Sequence, residues 1–309
     1  GEGSQLASNS RKMANGQSGI KFAGGRTMPD RAQELVDQVD GLLTLPSVYF
    51  EIRRLVDSPN TDIVEVAKAI SKDPALTARL LRIVNSPAYA QSRPVVTVSR
   101  AVSMLGLNQI HDLTLAACLA TTFSRVHPRL MDVQTFWRRS LLRALTARTL
   151  ARMLRYVDRE RFFILGLLAD LGHMVIYMRV PDQAAKLESI ARTDARPLHL
   201  VEREHLGCDY AQTGAALLRH WKLPESIWLP VGRQTEPASE APHAIESALL
   251  NLSGAAVFSA ERSKEITAFV DPAAWEITGL TPEQVSGAFA EADYAIDDMT
   301  AIFADRKAA

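Results

Sequence analysis

The chain has 309 residues, of which 47% are hydrophobic and 23% charged, so it can bury a substantial core. Lys plus Arg and Asp plus Glu both number 35, so the overall charge gives no long-range attraction for nucleic acid or for an anionic membrane. Cys118 and Cys208 lie far apart, without another thiol or a histidine at metal-ligand spacing, which indicates neither a disulfide framework nor a zinc cluster.

Residues 1–27 are rich in Gly, Ser and Asn and contain no apolar signal-peptide core. We expect them to form a flexible tail or an added, non-native segment. The longest apolar run, residues 162–178, is interrupted by Asp170 and His173 and does not reach the ~18 residues of a membrane span. It is predicted to be a buried core helix and its continuation, and no membrane contact is expected.

From residue 29 onward the pattern predicts a succession of helices with almost no strand signal. Apolar residues at positions 63, 66, 67 and 70 share one helix face, and Thr61 or Asp62 supplies the N-cap. In the next helix Asp73 is the predicted N-cap, and Pro74 takes the first helical position, where its missing N–H costs nothing. A short helix at about 98–105 is closed by Gly106, at a position that favours a left-handed residue.

Further helices are expected at about 108–122, 134–156, 159–170, 182–193, 199–206, 210–220, 243–261, 281–290 and 292–305. No self-similarity occurs at the ~34-residue or ~40-residue periods of helical repeat arrays. The fold class is therefore all-α, as a compact multi-helix bundle.

One long motif carries a family resemblance. The run from Asp73 to Ser86, DPALTARLLRIVNS, closely resembles the bacterial HDOD domain, a helical output module related to the HD phosphohydrolases. The similarity extends over roughly residues 38–260 and includes the pairs Leu45-Pro46, Leu105-Gly106, Phe136-Trp137 and Leu206-Gly207. It implies an N-terminal helical lobe at 28–122, a degenerate HD-like lobe at 123–260 and a C-terminal helical extension packed on the domain at 261–309.

The resemblance also locates the metal-binding positions of the HD fold. The residues that stand there in this chain are Arg139, Asp170 (within Ala169-Asp170, for His-Asp), His173, Tyr210 and Gln234. Only Asp170 survives as a metal ligand. A lone carboxylate is a poor metal site, and an arginine places a fixed positive charge where the cation belongs. We therefore expect no metal, no cofactor and no catalysis.

The buried carboxylate of Asp170 has two interpretations. In the first interpretation, Asp170 forms a structural ion pair with Arg139, because a buried charge without a partner costs several kcal/mol. Alternatively, Arg139, Asp170, Tyr210 and Gln234 line a vestigial pocket in which a small phosphorylated ligand replaces the metal.

A basic stretch follows in the same helix. Arg148, Arg152 and Arg155 repeat at i, i+4 and i+7 and are predicted to share a face that could meet phosphate groups. The alternative is a solvated face, or an intramolecular complement to residues 280–300, which carry five acidic residues and no basic one. No aromatic residues interleave with these arginines, so nucleic acid is not an expected partner.

The family signature itself is a second candidate surface. Asp73, Asn85, Ser86 and Tyr89 mark a helix and the loop that follows it, and exposed, ordered loops often carry contacts. The alternative role is structural: Asn85 bonds backbone groups there and fixes the junction between the two lobes.

The resemblance implies a bacterial, cytoplasmic signal-transduction protein that is not an enzyme and binds another signalling protein in trans. The alternatives are a sensor of an anion or cyclic dinucleotide in the vestigial pocket, and a metal-dependent phosphohydrolase with an unusual site built on Asp170 and His173. No residue selects the partner or an oligomeric state.

Overall fold

The computed structural model describes residues 31–39, 41, 43–89, 93–123 and 131–304, and the tail predicted over residues 1–27 lies outside them. No strand occurs within these ranges, which confirms the all-α class. The helices are α1 Arg31–Asp37, α2 Ser47–Val56, α3 Ile63–Ser71, α4 Pro74–Val84, α5 Val98–Leu105, α6 Leu107–Phe123, α7 Val133–Met153, α8 Glu160–Leu168, α9 Leu171–Arg179, α10 Pro181–Thr193, α11 Leu198–Leu206, α12 Tyr210–His220, α13 Glu225–Arg233, α14 Ala244–Arg262, α15 Pro272–Thr278, α16 Pro282–Tyr294 and α17 Ile296–Ala304.

The predicted helix ends of the N-terminal lobe are confirmed. Asp62 caps α3 by accepting the backbone N–H of Val64 at 3.2 Å, and Asp73 caps α4 by accepting those of Ala75 and Leu76 at 2.9 and 3.0 Å. These carboxylates satisfy donors that have no partner inside the first turn of a helix. Gly106 ends α5 with φ at +85°, a conformation that L side chains rarely adopt.

The helices differ from the prediction in their bounds and in their number. Helix α7 ends at Met153 rather than near 156, because Arg155 adopts a left-handed conformation with φ at +60°. The apolar run expected as a helix and its continuation is divided into α8 and α9 at Ala169 and Asp170. Helices α1, α2, α13 and α15 were not among the predicted helices; α13 contains Pro230, a residue that normally argues against a helix interior.

Helix α7 lies at the centre of the fold. It packs against α8, α14, α16 and α17, so the C-terminal helices cover it. Helices α2 to α6 pack on one another as the N-terminal lobe, and α6 reaches α8 of the second lobe. Helix α1 does not belong to that first group, because it packs on α9 and α12. The larger of two apolar cores extends through both lobes, and the smaller one lies between α7, α14, α15 and α16.

Two glycines allow the closest helix contacts. A Cβ on Gly166 of α8 would lie 2.6 Å from the Cα of Ala144 in α7, and one on Gly172 of α9 would lie 1.8 Å from the carbonyl oxygen of Tyr210 in α12. Neither distance is compatible with a side chain. These contacts bring α7, α8, α9 and α12 together around the break between α8 and α9.

The segment Glu160–Arg179 is long and apolar enough, by length and composition alone, to cross a membrane, and it is the one such segment among the described residues. In this fold 89% of its most apolar window is buried. The core helices of soluble proteins meet the same criteria, so the segment is weak evidence for a membrane span.

Candidate functional site

The break between α8 and α9 faces a buried arginine from α7. Arg143 is only 1% exposed, and its Nη1 donates a hydrogen bond to Oδ1 of Asp170. Its Nη2 donates to Oε1 of Gln234 and, at 2.9 Å, to the backbone carbonyl of Leu250. One guanidinium therefore joins α7, the α8–α9 break, the end of α13 and α14. The planar fork of arginine suits such divergent acceptors.

The groups around Arg143 are fixed in turn. The side-chain amide of Gln234 donates to the carbonyl oxygens of Ala169 at 2.8 Å and Val231 at 2.9 Å. Gly254 of α14 leaves room for the guanidinium, since a Cβ there would lie 2.9 Å from Nη2 of Arg143. The arginine is thus enclosed by residues that hold it in one position.

The electrostatics favour an ionised Asp170. Burial raises the pKa of this carboxyl, but the positive charges of Arg143 and Arg139 outweigh burial and hold the pKa below its ordinary value. Asp170 is only 2% exposed. It is therefore a buried carboxylate that a neighbouring guanidinium neutralises.

The predicted partner of Asp170 was wrong by one helical turn. Arg139, four residues before Arg143, has its Nε 3.1 Å from Oε1 of Glu261 and its guanidinium 5.1 Å from the ring centre of Phe258. Arg143 was missed, although positions 136, 140, 143, 147 and 150 form one buried stripe of α7. No signal in the sequence separates Arg143 from Arg139, because α7 is buried around most of its circumference and both arginines are buried.

A layer of stacked rings lies on the other side of Asp170. The His173 ring stacks on Tyr210, with centroids 4.1 Å apart and an interplanar angle of 13°, and more loosely on Tyr177, at 5.6 Å. Burial lowers the pKa of His173 to about 3, so the ring is neutral near pH 7. Burial also raises the pKa of Glu202 well above its ordinary value; its Oε1 is 3.8 Å from Nδ1 of His173.

These residues do not fit a catalytic metal ion. Asp170 Oδ2 and both ring nitrogens of His173 are buried without a hydrogen-bond partner, whereas the neighbouring Glu202 accepts the backbone N–H of Tyr210 at 2.8 Å, so two unengaged ligand side chains remain. Catalytic sites assemble three or more ligands around the cation. No group of three His, Cys, Asp or Glu side chains that could hold a metal ion occurs in the described part of the chain. The guanidinium of Arg143 also repels a cation from this position.

The predicted vestigial pocket does not form as one cavity. Asp170 and Gln234 are enclosed by Arg143, whereas Tyr210 lines a small inner cavity of about 40 Å³ with Leu250. Arg139 lines an open cleft of about 660 Å³ between α7, α10 and α14. The four residues therefore face three different environments.

The comparisons with known proteins identify the family and the fold. The model of the HDOD domain family matches residues 42–237. The chain belongs to the HDOD family. An uncharacterised protein of Treponema pallidum is 27% identical over 199 residues, which are 63% of this chain but only 38% of that protein. The HDOD chain therefore spans little more than a third of the length of the Treponema protein.

Two solved structures share the fold of this HDOD protein. A protein of Shewanella amazonensis, provisionally named a phosphohydrolase, has a TM-score of 0.68 and 23% identity, over 88% of this chain and 97% of that one. A protein of Marinobacter aquaeolei, provisionally named a signal transduction protein, has a TM-score of 0.67 and 23% identity, over 89% of this chain and 65% of that one.

The HDOD signature makes contacts within the fold. The amide of Asn85 donates to the carbonyl oxygens of Leu81 and Val95, both at 2.8 Å, and its Oδ1 accepts the N–H of Val95 at 2.7 Å. Ser86 Oγ donates to the carbonyl of Ile83 at 2.7 Å. Asn85 thus ties the end of α4 to the segment that precedes α5, where it fixes the loop.

Tyr89 connects this signature to the second lobe. Its ring meets Phe163 of α8 edge-on at 6.4 Å, and the guanidinium of Arg148 lies 5.3 Å from its centre. Arg148 also donates to the carbonyl of Ala88 at 3.0 Å and lies 3.4 Å from Glu160. Tyr89 and Arg148, expected on separate surfaces, therefore line the same lobe junction, beside an open cleft of about 650 Å³.

The predicted arginine face is wrong in part. Arg155 lies beyond the end of α7, and Arg148 is engaged at the lobe junction. Arg152 pairs with Glu291 of α16 at 2.7 Å. Arg138 of the same helix pairs with Asp293 and Asp297 at 2.7 and 2.8 Å. The acidic C-terminal helices thus complement Arg138 and Arg152, as the intramolecular alternative predicted.

Proposed function

We propose that this HDOD protein is a non-catalytic output module of a bacterial signalling pathway, and that it acts in the cytoplasm by binding another protein in trans. The observation that carries the proposal is the bonding of Arg143 to Asp170 and Gln234, at the place where the HD fold needs a metal ion. The name of the Marinobacter neighbour is consistent with a signalling role.

The physical argument concerns the activation of water. Hydrolysis of a phosphate ester at neutral pH by this class of fold requires a divalent cation with an open coordination position. In this chain the positive charge beside Asp170 is the guanidinium of Arg143. A guanidinium has no coordination position at which water could bind and lose a proton. A phosphohydrolase would have to assemble its metal from Asp170 and His173 against the charges of Arg139 and Arg143.

Metal content and turnover test the absence of catalysis. The protein would be purified without chelator, analysed for metal, and assayed with added Mn²⁺ on bis(p-nitrophenyl) phosphate and on cyclic dinucleotides. We expect substoichiometric metal and no turnover. Stoichiometric metal together with turnover that the Asp170→Asn variant lacks would overturn the proposal.

Binding in trans is tested separately. The intact protein would be crosslinked in its native cells, and each candidate partner would be produced recombinantly and titrated against it by calorimetry. We expect a saturable complex of fixed stoichiometry with at least one signalling protein, formed equally well in the presence of EDTA. A complex that forms only with added metal would contradict the proposal, as would the absence of a saturable complex with every candidate.

A further inference from the structure

The open cleft between α7, α10 and α14 has the dimensions of a ligand site. Its volume is about 660 Å³, within the range of roughly 300–1,000 Å³ that is typical of small-molecule pockets. Leu198, Phe258, Arg262 and Phe269 line both this cleft and the inner cavity next to Tyr210. The two spaces are therefore neighbours that share one wall. We call the larger one the basic cleft.

Positive side chains outnumber negative ones in its lining. The cations are Arg139, Arg192, Arg196, Arg262 and Lys264, and the carboxylates are Asp132, Glu188 and Glu261. Two of the carboxylates are engaged: Glu261 lies 3.1 Å from Arg139, and Glu188 lies 3.8 Å from Arg192. Arg196 pairs with Glu204, which lies outside the lining, at 2.8 Å. Two cations of the lining, Arg262 and Lys264, therefore make no salt bridge among the described residues, against one such carboxylate, Asp132.

Arg262 is the one arginine of the cleft that has no salt bridge among the described residues, since Arg139, Arg192 and Arg196 each pair with a carboxylate. It is half-buried. Burial and the nearby charge of Arg192 lower the pKa of its guanidinium, and Glu261 offsets this only in part. An anion that enters the cleft would find this guanidinium available.

Two aromatic rings hold the arginines in place. The guanidinium of Arg262 lies 5.9 Å from the ring centre of Phe258 and 5.7 Å from that of Phe269, and Arg139 lies over Phe258 at 5.1 Å. The two rings are half-buried, with centroids 6.3 Å apart. Arginine that is oriented over aromatic faces loses little freedom when it binds a phosphate. The same rings offer a surface on which a planar heterocycle can stack.

We propose that the basic cleft binds a small nucleotide, whose phosphate pairs with Arg262 and Arg192 and whose base packs against Phe258 and Phe269. Phosphate accepts the bidentate hydrogen bonds of a guanidinium, and a base stacks on an aromatic face whatever its sequence identity. The site is distinct from the enclosed Asp170–Arg143 pair and does not rest on the proposed function: a module that binds a partner protein can stand without it.

Calorimetric titration of the full chain tests the site. The probes are GMP, AMP, cyclic di-GMP and inorganic pyrophosphate, each at 50 and 500 mM NaCl. We expect saturable binding of at least one nucleotide that weakens as salt rises, because the cleft is open to solvent and dissolved ions screen the charges of Arg192 and Arg262. Saturation by none of the four probes overturns the proposal, and so does binding that is indifferent to salt.

Matched variants separate this site from non-specific attraction. Arg262→Ala should weaken nucleotide binding tenfold or more, whereas Arg219→Ala should leave it unchanged. Arg219 is the control because it also lies over an aromatic ring, that of Trp228 at 5.4 Å, but does not line the basic cleft. Equal losses in the two variants overturn the assignment. Thermal melts of both verify that they remain folded.

A third variant tests the role of the rings. Phe269→Leu should weaken the nucleotide at least fivefold and weaken pyrophosphate by less, because only the nucleotide has a base to stack and Phe258 still lies under Arg262. Pyrophosphate binding without any nucleotide binding would overturn the assignment of a nucleotide.

Discussion

Replacement of Arg143 by Met is the sharpest test of the buried pair. The change keeps a long side chain but removes the guanidinium that bonds Asp170, Gln234 and the carbonyl of Leu250. Asp170 then remains as a buried carboxylate without its main partner, and two acceptors lose their donor. Loss of one member of a buried pair costs about 3–5 kcal/mol, so we expect the free energy of unfolding to fall by about 4 kcal/mol.

That loss is large compared with the whole stability of a typical domain, about 5–15 kcal/mol. It would be measured by urea denaturation followed by circular dichroism; with a slope near 3 kcal/mol per molar, the midpoint should fall by about 1–1.5 M. The matched control is Arg152→Met, in the same helix. Arg152 pairs with Glu291, and the two side chains are 50% and 52% exposed. The Arg152→Met substitution should therefore lower the free energy of unfolding by less than about 1 kcal/mol.

The double variant Arg143→Met with Asp170→Asn completes the cycle. Removal of the stranded charge should restore most of the lost stability, because an amide costs far less to bury than a carboxylate. The reasoning would be refuted by equal losses in Arg143→Met and Arg152→Met, or by additive losses in the double variant.

Three further predictions concern the surroundings of the site. His173→Phe should reduce the loss of stability that the wild type shows as the pH falls below 7. The pKa of His173 is about 3 in the folded protein, below its ordinary value of 6.5. Between these two values only the unfolded chain binds the proton, so the free energy of unfolding of the wild type decreases as the pH decreases. Denaturant titrations should show the variant gaining about 1.4 kcal/mol over the wild type between pH 7.5 and 5.5; parallel profiles would contradict this. Gly172→Ala should cost more than about 3 kcal/mol in a thermal or urea melt, since its Cβ would lie 1.8 Å from a backbone oxygen of α12, whereas Gly287→Ala, with nothing within 4 Å, should be neutral or stabilising; similar melts would refute the close contact. Asn85→Ala should cost about 2 kcal/mol and accelerate hydrogen exchange at Val95, to which it bonds twice; unchanged exchange there would exclude this role.

The sequence by itself determined helices α3 to α6 of the N-terminal lobe and the family. Side chains at positions 62 and 73 cap helices through bonds to backbone groups two or three residues away, so local chemistry suffices to predict them. The same holds for Gly106, whose conformation depends only on the missing Cβ. Helix α13 escaped prediction because its interior proline contradicts local propensity, which packing against α12 and α14 overrides.

Only the tertiary structure decided which arginine meets Asp170. Arg139 and Arg143 are one turn apart on α7, and both are buried. The choice between them depends on the axial register of α7 against α8, which the contact of Gly166 with Ala144 sets. The basic cleft arises in the same way, from side chains on α7, α10 and α14 that are at least 49 residues apart in the chain. Local sequence determines the propensity and the caps of each helix. Contacts between side chains of different helices depend on packing angles and registers, which form only when the helices assemble.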